Sequence, residues 1–347
     1  MKKIAFFLAS DTLVYLCKPV LEKLFGKAEI YILFPRFTDE RAKETYIKLF
    51  PEHLAHICTE KYAFKQGLDY LVCANDWGAE IKLLIWWARR KSVTTIAIQE
   101  SVVDLSIYSD RYLYADIIFA QGEVSKNLLR RNNVVVTGNP RYENINFQAP
   151  KEQHALINCN FTYGVFEDIR DQWIRDVTNA LNKSGVPFQI SKHPRDFSNL
   201  EGLEDYVIPS GAGVVHEQVQ DSALLITRFS SLIHESILMG RPVIYYNPHG
   251  ENMGYDFLPD NKVLFVINSK NDLVEVIEFL TSNLLIKNNF YSYVEHHLSS
   301  NDNNKPSKVI ADILLDNEFV ININKNINVF RECLIFVKEY FYIKFWK

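Results

Sequence analysis

The sequence has few cysteines, and none of them is paired in a motif. Cys17, Cys58, Cys73, Cys159 and Cys333 are scattered along 347 residues with no CxxC and no metal-ligand spacing. This excludes a zinc ribbon or a dithiol redox centre and reads as the reduced, mostly buried thiols of a cytoplasmic protein. Glycine-rich phosphate loops are missing too. No GxGxxG follows the first apolar run and no GxxxxGKS or GxxxxGKT occurs, which disfavours a nicotinamide Rossmann protein and a P-loop nucleotidase. There is no GxSxG nucleophile elbow and no HExxH zinc helix. Basic charge is not in excess: 38 Lys and Arg against 42 Asp and Glu give −4, which argues against a general nucleic-acid binder. No stretch approaches the roughly 20 apolar residues of a membrane span. The opening "MKKIAFFLAS" has the look of a short signal peptide, but its apolar run stops at Ser10-Asp11 and reads better as a first buried strand.

What is present is a globular composition, 48% hydrophobic and 23% charged, over a length that predicts two domains. Short β-rich runs alternate with helical patterns. "KIAFFLA", "EIYILF", "DYLVCA", "TTIAIQE", "DIIFAQG" and "NVVVTGN" read as strands, with helices at "TLVYLCKPVLEKLF", "DERAKETYIKLF" and "GAEIKLLIWWARRK". A second series repeats the scheme, with strands "HALINCN", "PFQISKH", "DYVIPS", "SALLITR", "PVIYYN" and "LFVI" and helices between them. Such alternation predicts βαβ units and mainly parallel sheets, with ligands at the carboxyl ends of the strands. The fold class expected is α/β, with two Rossmann-like domains, residues 1–149 and 150–310, facing a central cleft. Residues 311–347 are expected to add C-terminal helices.

The polar residues at strand ends are the candidates for chemistry. "SALLITRFSSLIHESILM" leads from a buried strand through Thr227, Arg228, Ser230 and Ser231 into a helix. A helix start offers unpaired N–H groups and a partial positive charge, which suits a phosphate. A capping box would want Glu or Gln three residues after Ser231, where His234 stands, so Glu235 is left over for ribose hydroxyls. "ISKHPRD" ends another strand with Lys192, His193, Pro194 and Arg195, a cluster suited to an anion or a nucleobase. In the first domain Gln99 and Glu100 end one strand and Asp76 another, and either carboxylate could serve as a general base. Gly138, Asn139 and Arg141, at the domain junction, are expected to line the cleft.

The order of these stretches resembles GT-B glycosyltransferases of bacterial surface-polysaccharide synthesis. It is similar to that of CMP-Kdo transferases, bacterial sialyltransferases and CDP-glycerol glycerophosphotransferases. The resemblance spans residues 70–250 and rests on Gln99-Glu100, Ala115-Asp116 with Gly122, Gly138–Arg141, Lys192–Pro194 and Ser230–Tyr245. It implies that His193, Ser230 and Ser231 hold the phosphates of CMP or CDP, and Glu235 the ribose or cytosine. The acidic pair-glycine motif of the sialyltransferases is absent, and the His-Gly of the glycerophosphotransferases is replaced here by Glu100-Ser101, a substitution that favours a carboxylate-based mechanism, inverting or retaining.

The expectation is an enzyme that moves a sugar, Kdo or another nonulosonic acid, from a CMP-activated donor to a lipid-linked glycan of capsule, O-antigen or lipopolysaccharide. The first domain would face the acceptor and the second would hold the donor. No metal and no cofactor are expected, because a helix start and Lys or Arg groups can stabilise the departing phosphate. Nucleic acid is not an expected partner. A carboxylate nucleophile for double displacement would be Asp221 or Glu100. The last residues place Phe330, Leu334, Val337, Phe341 and Phe345 on one helical face. That face suits either packing on the body or a partner, or peripheral contact with the inner face of the cytoplasmic membrane. Alternatives are a CDP-glycerol or UDP-sugar transferase, a sugar 2-epimerase, or a non-catalytic scaffold of the same form.

Overall fold

The computed structural model describes residues 1–36, 40–100, 102, 111–129, 131, 133–162, 165–193, 196–211, 214–252, 254–255, 257, 262–282, 287–299 and 305–316. The chain forms two compact units, residues 1–143 with 296–347, and residues 144–295. Each is built on a six-stranded parallel sheet. This is the doubly wound α/β class that the alternating pattern predicts.

In the first unit the strands are β1 Lys3–Phe7, β2 Glu29–Leu33, β3 Tyr70–Cys73, β4 Thr94–Ile98, β5 Ile117–Ala120 and β6 Val134–Val136. Their order is β2-β1-β3-β4-β5-β6. The helices are α1 Asp11–Leu24, α2 Arg41–Leu49, α3 Glu60–Lys65, α4 Ala79–Arg90 and α5 Glu123–Leu129. The strands are continuous apolar runs because a parallel sheet is covered on both faces. The Ser10 hydroxyl caps α1 by accepting from the Leu13 N–H. Leu13, Val14, Cys17, Val20, Leu21 and Leu24 recur at helical spacing on its buried face.

The second unit holds β7 Ala155–Cys159, β8 Phe188–Lys192, β9 Val207–Ile208, β10 Leu224–Thr227, β11 Val243–Tyr246 and β12 Leu264–Ile267, in the order β12-β11-β10-β7-β8-β9. Its helices are α6 Arg170–Lys183, α7 Val215–Asp221, α8 Leu232–Leu238 and α9 Lys270–Ser282. Trp173 of α6 is buried against the sheet and donates its indole N–H to the Tyr246 carbonyl at 2.9 Å. Arg241 is fully buried and donates to the carbonyls of Gln148, Val219, Gln220 and Met239. It ties together the chain entering β7, the end of α7 and the end of α8, and so acts in the framework.

Helix α10, Lys287–Leu298, leads out of the second unit, and α11, Pro306–Leu315, belongs to the first. Ile310, Ala311 and Leu314 of α11 join the core formed by β1 and α1. Burying an Ile or Leu there contributes about 1.5–3 kcal/mol each. Two glycines admit this returning segment. A Cβ on Gly122 would stand 2.0 Å from the His297 carbonyl oxygen, and one on Gly138, whose φ is +77°, would stand 2.6 Å from Pro306. Gly122→Ala is therefore expected to destabilise the first unit by more than about 1 kcal/mol, seen as a lower thermal midpoint and faster hydrogen exchange over residues 297–315. An unchanged midpoint would show that this contact can relax. The C-terminal face around Phe330–Phe345 lies outside the described residues.

Candidate functional site

The strand order reverses once in each sheet, between β1 and β3 in the first unit and between β7 and β10 in the second. In the second unit the chain runs outward from β7 to β8 and β9, then returns to β10 on the other side of β7. Helices leave on different sides at such a point and open a crevice at the strand carboxyl ends. Asn158 and Asn160 come from the end of β7, Lys192 and His193 from β8, and Thr227 to Ser231 from β10.

The turn after β10 is tightly held. Thr227 is buried; its hydroxyl accepts from the Asn158 amide at 2.9 Å and donates to the Arg228 carbonyl at 2.8 Å. Arg228 is 4% exposed and lies against the rings of Phe161 and Phe166. Its guanidinium donates to the carbonyls of Asn160 and Val165 and, through Nε at 3.1 Å, to Glu251. Glu251 also accepts from the Phe229 N–H at 2.7 Å and from the Tyr245 hydroxyl at 3.1 Å. These hydrogen bonds and the Arg228 charge outweigh burial and hold its carboxyl below the ordinary glutamate range. Arg228 thus shapes the turn from inside. Ser230 and Ser231 are half-buried at the surface of that turn. The Ser230 hydroxyl accepts from the Leu232 N–H at 3.2 Å, whereas Ser231, in helical conformation, makes no side-chain cap.

Glu235 is 1% exposed and pairs with Nε2 of His216, which stands on α7 and is about one-third exposed. The imidazole is the outward half of this pair. Lys192 donates to the Ser198 carbonyl at 2.6 Å, and the His193 N–H donates to the Cys159 carbonyl at 3.0 Å, extending the β7–β8 ladder by one step. Pro194 and Arg195 lie outside the described residues. Asp221 ends α7 at the amino-terminal side of the sheet, paired with Lys151 at 2.7 Å, away from the strand carboxyl ends.

In the first unit the reversal lies between β1 and β3. Asp76, just past β3, is fully buried and accepts the backbone N–H groups of Tyr112, Tyr114 and Ala115 at 2.6, 2.6 and 2.9 Å. Its carboxylate fixes the approach to β5. Gln99 is fully buried and braces the same framework: its side-chain oxygen accepts from the Gln121 N–H and its carbonyl from the Asn139 amide. Asn139 in turn accepts from the Arg141 N–H at 3.0 Å. Gly138 makes the close approach described above.

Glu100 is different. It is half-buried past the end of β4, and Asn75 donates to Oε2 at 3.2 Å. Burial raises its carboxyl pKa above the ordinary value, against the opposing pull of Asn75, Arg111 and Arg141. A carboxyl raised above its ordinary value by burial, past the end of a strand, is a candidate general base.

Sequence reasoning missed His216, Glu251 and His249. Glu251 and His249 follow β11 in "NPHGEN", a polar strand-end stretch of the kind used to choose the other candidates. Among the described residues no three His, Cys, Asp or Glu side chains gather as a metal site, and no helix is long and apolar enough to cross a membrane.

No family model and no curated relative matches the chain. Solved structures do. A UDP-GlcNAc 2-epimerase of Methanocaldococcus jannaschii, in complex with UDP-GlcNAc and UDP, aligns with a TM-score of 0.60 at 14% identity, over 90% of this chain and 99% of that one. The lipopolysaccharide outer core galactosyltransferase WaaB gives 0.55 at 13%, over 90% and 98%. The wall teichoic acid polymerase TagF, an H444N form with CDPG, gives 0.54 at 12%, over 90% and 88%. The fold is that of these two-domain proteins, two Rossmann-like units of GT-B form.

Proposed function

We propose that the chain is a glycosyltransferase acting on a nucleotide-activated sugar, with Glu100 as the base on the acceptor side. The observation that carries this reading is the Glu100 carboxyl, raised by burial and held by Asn75 at a strand carboxyl end. In an inverting transfer Glu100 takes the proton of the acceptor hydroxyl. The freed oxygen bonds to the anomeric carbon, and the bond from that carbon to the nucleotide phosphate breaks. The second unit holds the donor. Ser230 and Ser231 meet the phosphate, Lys192 and His193 flank it, and His216, steadied by Glu235, lies toward the nucleoside. The donor we favour carries CMP, with Kdo or a related acid as the sugar and a lipid-linked surface glycan as acceptor. The likeness to two enzymes named for lipopolysaccharide outer core and wall teichoic acid supports a surface glycan as acceptor, while the CMP donor rests on the sequence resemblance alone.

The likeness to a UDP-GlcNAc 2-epimerase, at the higher TM-score of 0.60, favours a second reading, epimerisation of a UDP-sugar. Thermal denaturation with CMP, CDP and UDP separates the two. A ligand that binds only the folded chain, at 100 times its Kd, adds about 2.7 kcal/mol of stability. We expect CMP to raise the midpoint most. A response to UDP alone moves the assignment to the UDP-sugar readings, and no response to any of the three removes the donor site.

A further inference from the structure

Helices α3 and α4 of the first unit are neighbours, with the rings of Phe64 and Trp87 6.5 Å apart. α4 turns Ile81, Leu84, Ile85 and Ala88 inward. At the same helical spacing Leu83, Trp86, Trp87 and Arg90 fall on its opposite face. The period that makes the buried stripe therefore also lays an aromatic stripe toward solvent. Trp87 is 47% exposed, and Tyr62 on α3 is 55% exposed. Around them Lys61, Lys65, Arg90 and Lys91 are exposed. The Arg90 guanidinium lies over the Trp86 ring, 4.1 Å from its centroid. The acids of this region are engaged elsewhere. Glu60 is buried against Arg36, Glu80 accepts from the Arg36 N–H, and Asp69 accepts from the Lys3 N–H.

A single exposed aromatic is ordinary on a protein surface. Two adjoining helices that both present them, ringed by cations, are not explained by folding. The helix dipole draws cations to a last turn, which accounts for Lys65, Arg90 and Lys91. It disfavours Lys61 in the first turn of α3 and says nothing of the outward rings. Protein-docking surfaces are depleted in lysine, yet three of these four cations are lysines. Tyrosine and tryptophan, with an apolar body and a polar edge, suit the boundary between lipid headgroups and acyl chains. Lysine and arginine beside them suit anionic headgroups. Both halves of the surface therefore match one partner.

We propose that the outward face of α3 and α4 docks on an anionic lipid bilayer, with Tyr62, Trp86 and Trp87 at the headgroup boundary and Lys61, Lys65, Arg90 and Lys91 among the phosphates. The proposal stands apart from the donor reading, since no nucleotide enters its test. The full chain is sedimented with phosphatidylcholine vesicles, with and without phosphatidylglycerol. Wild type is expected to bind the mixed vesicles about tenfold or more tighter than the neutral ones. That preference should fade as salt rises from about 0.05 to about 0.5 M, because exposed charges are then screened. Two variants at exposed positions follow. One joins Tyr62→Ser to Trp87→Ser, and the other joins Lys61→Gln, Lys65→Gln, Arg90→Gln and Lys91→Gln. Each is expected to keep the thermal midpoint of wild type and to bind the mixed vesicles about tenfold or more weaker. Should a multiple variant unfold, Trp87→Ser and Arg90→Gln alone give the same reading at about threefold. Full affinity in either variant overturns the proposal and moves the contact elsewhere, the Phe330–Phe345 face included. So does a wild type that binds no vesicle, or that binds neutral and mixed vesicles alike. Dimerisation that Trp87→Ser abolishes, without vesicle binding, would assign the face to a second copy and overturn it too.

Discussion

Glu100→Gln is expected to lower turnover by about 100-fold or more, the usual share of general acid–base catalysis, with donor affinity unchanged. Gln is the same size and can still accept from Asn75, but it cannot take a proton. The pH dependence has a definite sign. The carboxyl is raised above the ordinary glutamate value, and a base works only when ionised. Activity should therefore fall on acidification at a pH above the usual glutamate range, and that limb should vanish from the residual rate of the variant. Stability moves the other way. A carboxyl whose folded pKa is raised favours folding below its unfolded pKa and loses that contribution as pH rises through the folded value. Once ionised, Glu100 is a burden on the fold, so the variant should melt no lower than wild type and should gain most at pH values above the raised pKa. Single-turnover rates and thermal midpoints across pH 5–9 check both effects. Activity within threefold of wild type would remove Glu100 from the chemistry.

The framework was legible in the sequence because strands covered on both faces must be apolar throughout. "KIAFF", "YLVC", "LLIT" and "VIYY" can hardly be read otherwise. Helices with a full apolar stripe, such as α1 and α4, were equally plain. Short polar helices were not. α7, "VHEQVQD", buries only Val219 and shows no period, yet it carries His216. The same limit applies to the site. Strand ends can be read from composition, so the strand-end positions of Glu100, His193 and the Ser230-Ser231 turn were legible. Pairing across the fold cannot. Arg228 looks like a phosphate ligand until Glu251, 23 residues onward, is seen to hold it. Glu235 looks like a ribose ligand until His216, 19 residues before it, is seen to cover it. α11 could be read as a helix, but only the contact of Ile310 and Leu314 with the α1 core assigns it to the first unit.

Glu251→Gln is expected to destabilise the second unit by about 3–5 kcal/mol, the cost of leaving one member of a buried ion pair without its counter-charge. The side chains are 5% and 0% exposed for Arg228 and Glu251, so solvent screens neither. The amide oxygen of Gln can still accept from Phe229 and Tyr245, while its amide nitrogen, in place of Oε2, gives up the Arg228 hydrogen bonds together with the charge. Arg228 cannot swing out to water without releasing the carbonyls of Asn160 and Val165 that fix the chain after β7. Adding Arg228→Met removes the stranded charge, so the double variant should recover much of the loss. Acid should erase the difference between wild type and Glu251→Gln. A carboxyl with a lowered folded pKa stabilises fully above its unfolded value and loses that contribution as pH falls through the folded one. The gap should thus be constant near neutrality and close only below the ordinary glutamate range. Denaturant midpoints at several pH values, with hydrogen exchange over β10 and β11 to locate the change, provide the measurement. A loss of less than about 1 kcal/mol, the scale of an exposed pair, would mean that water reaches Arg228 and that the turn is looser than its contacts imply.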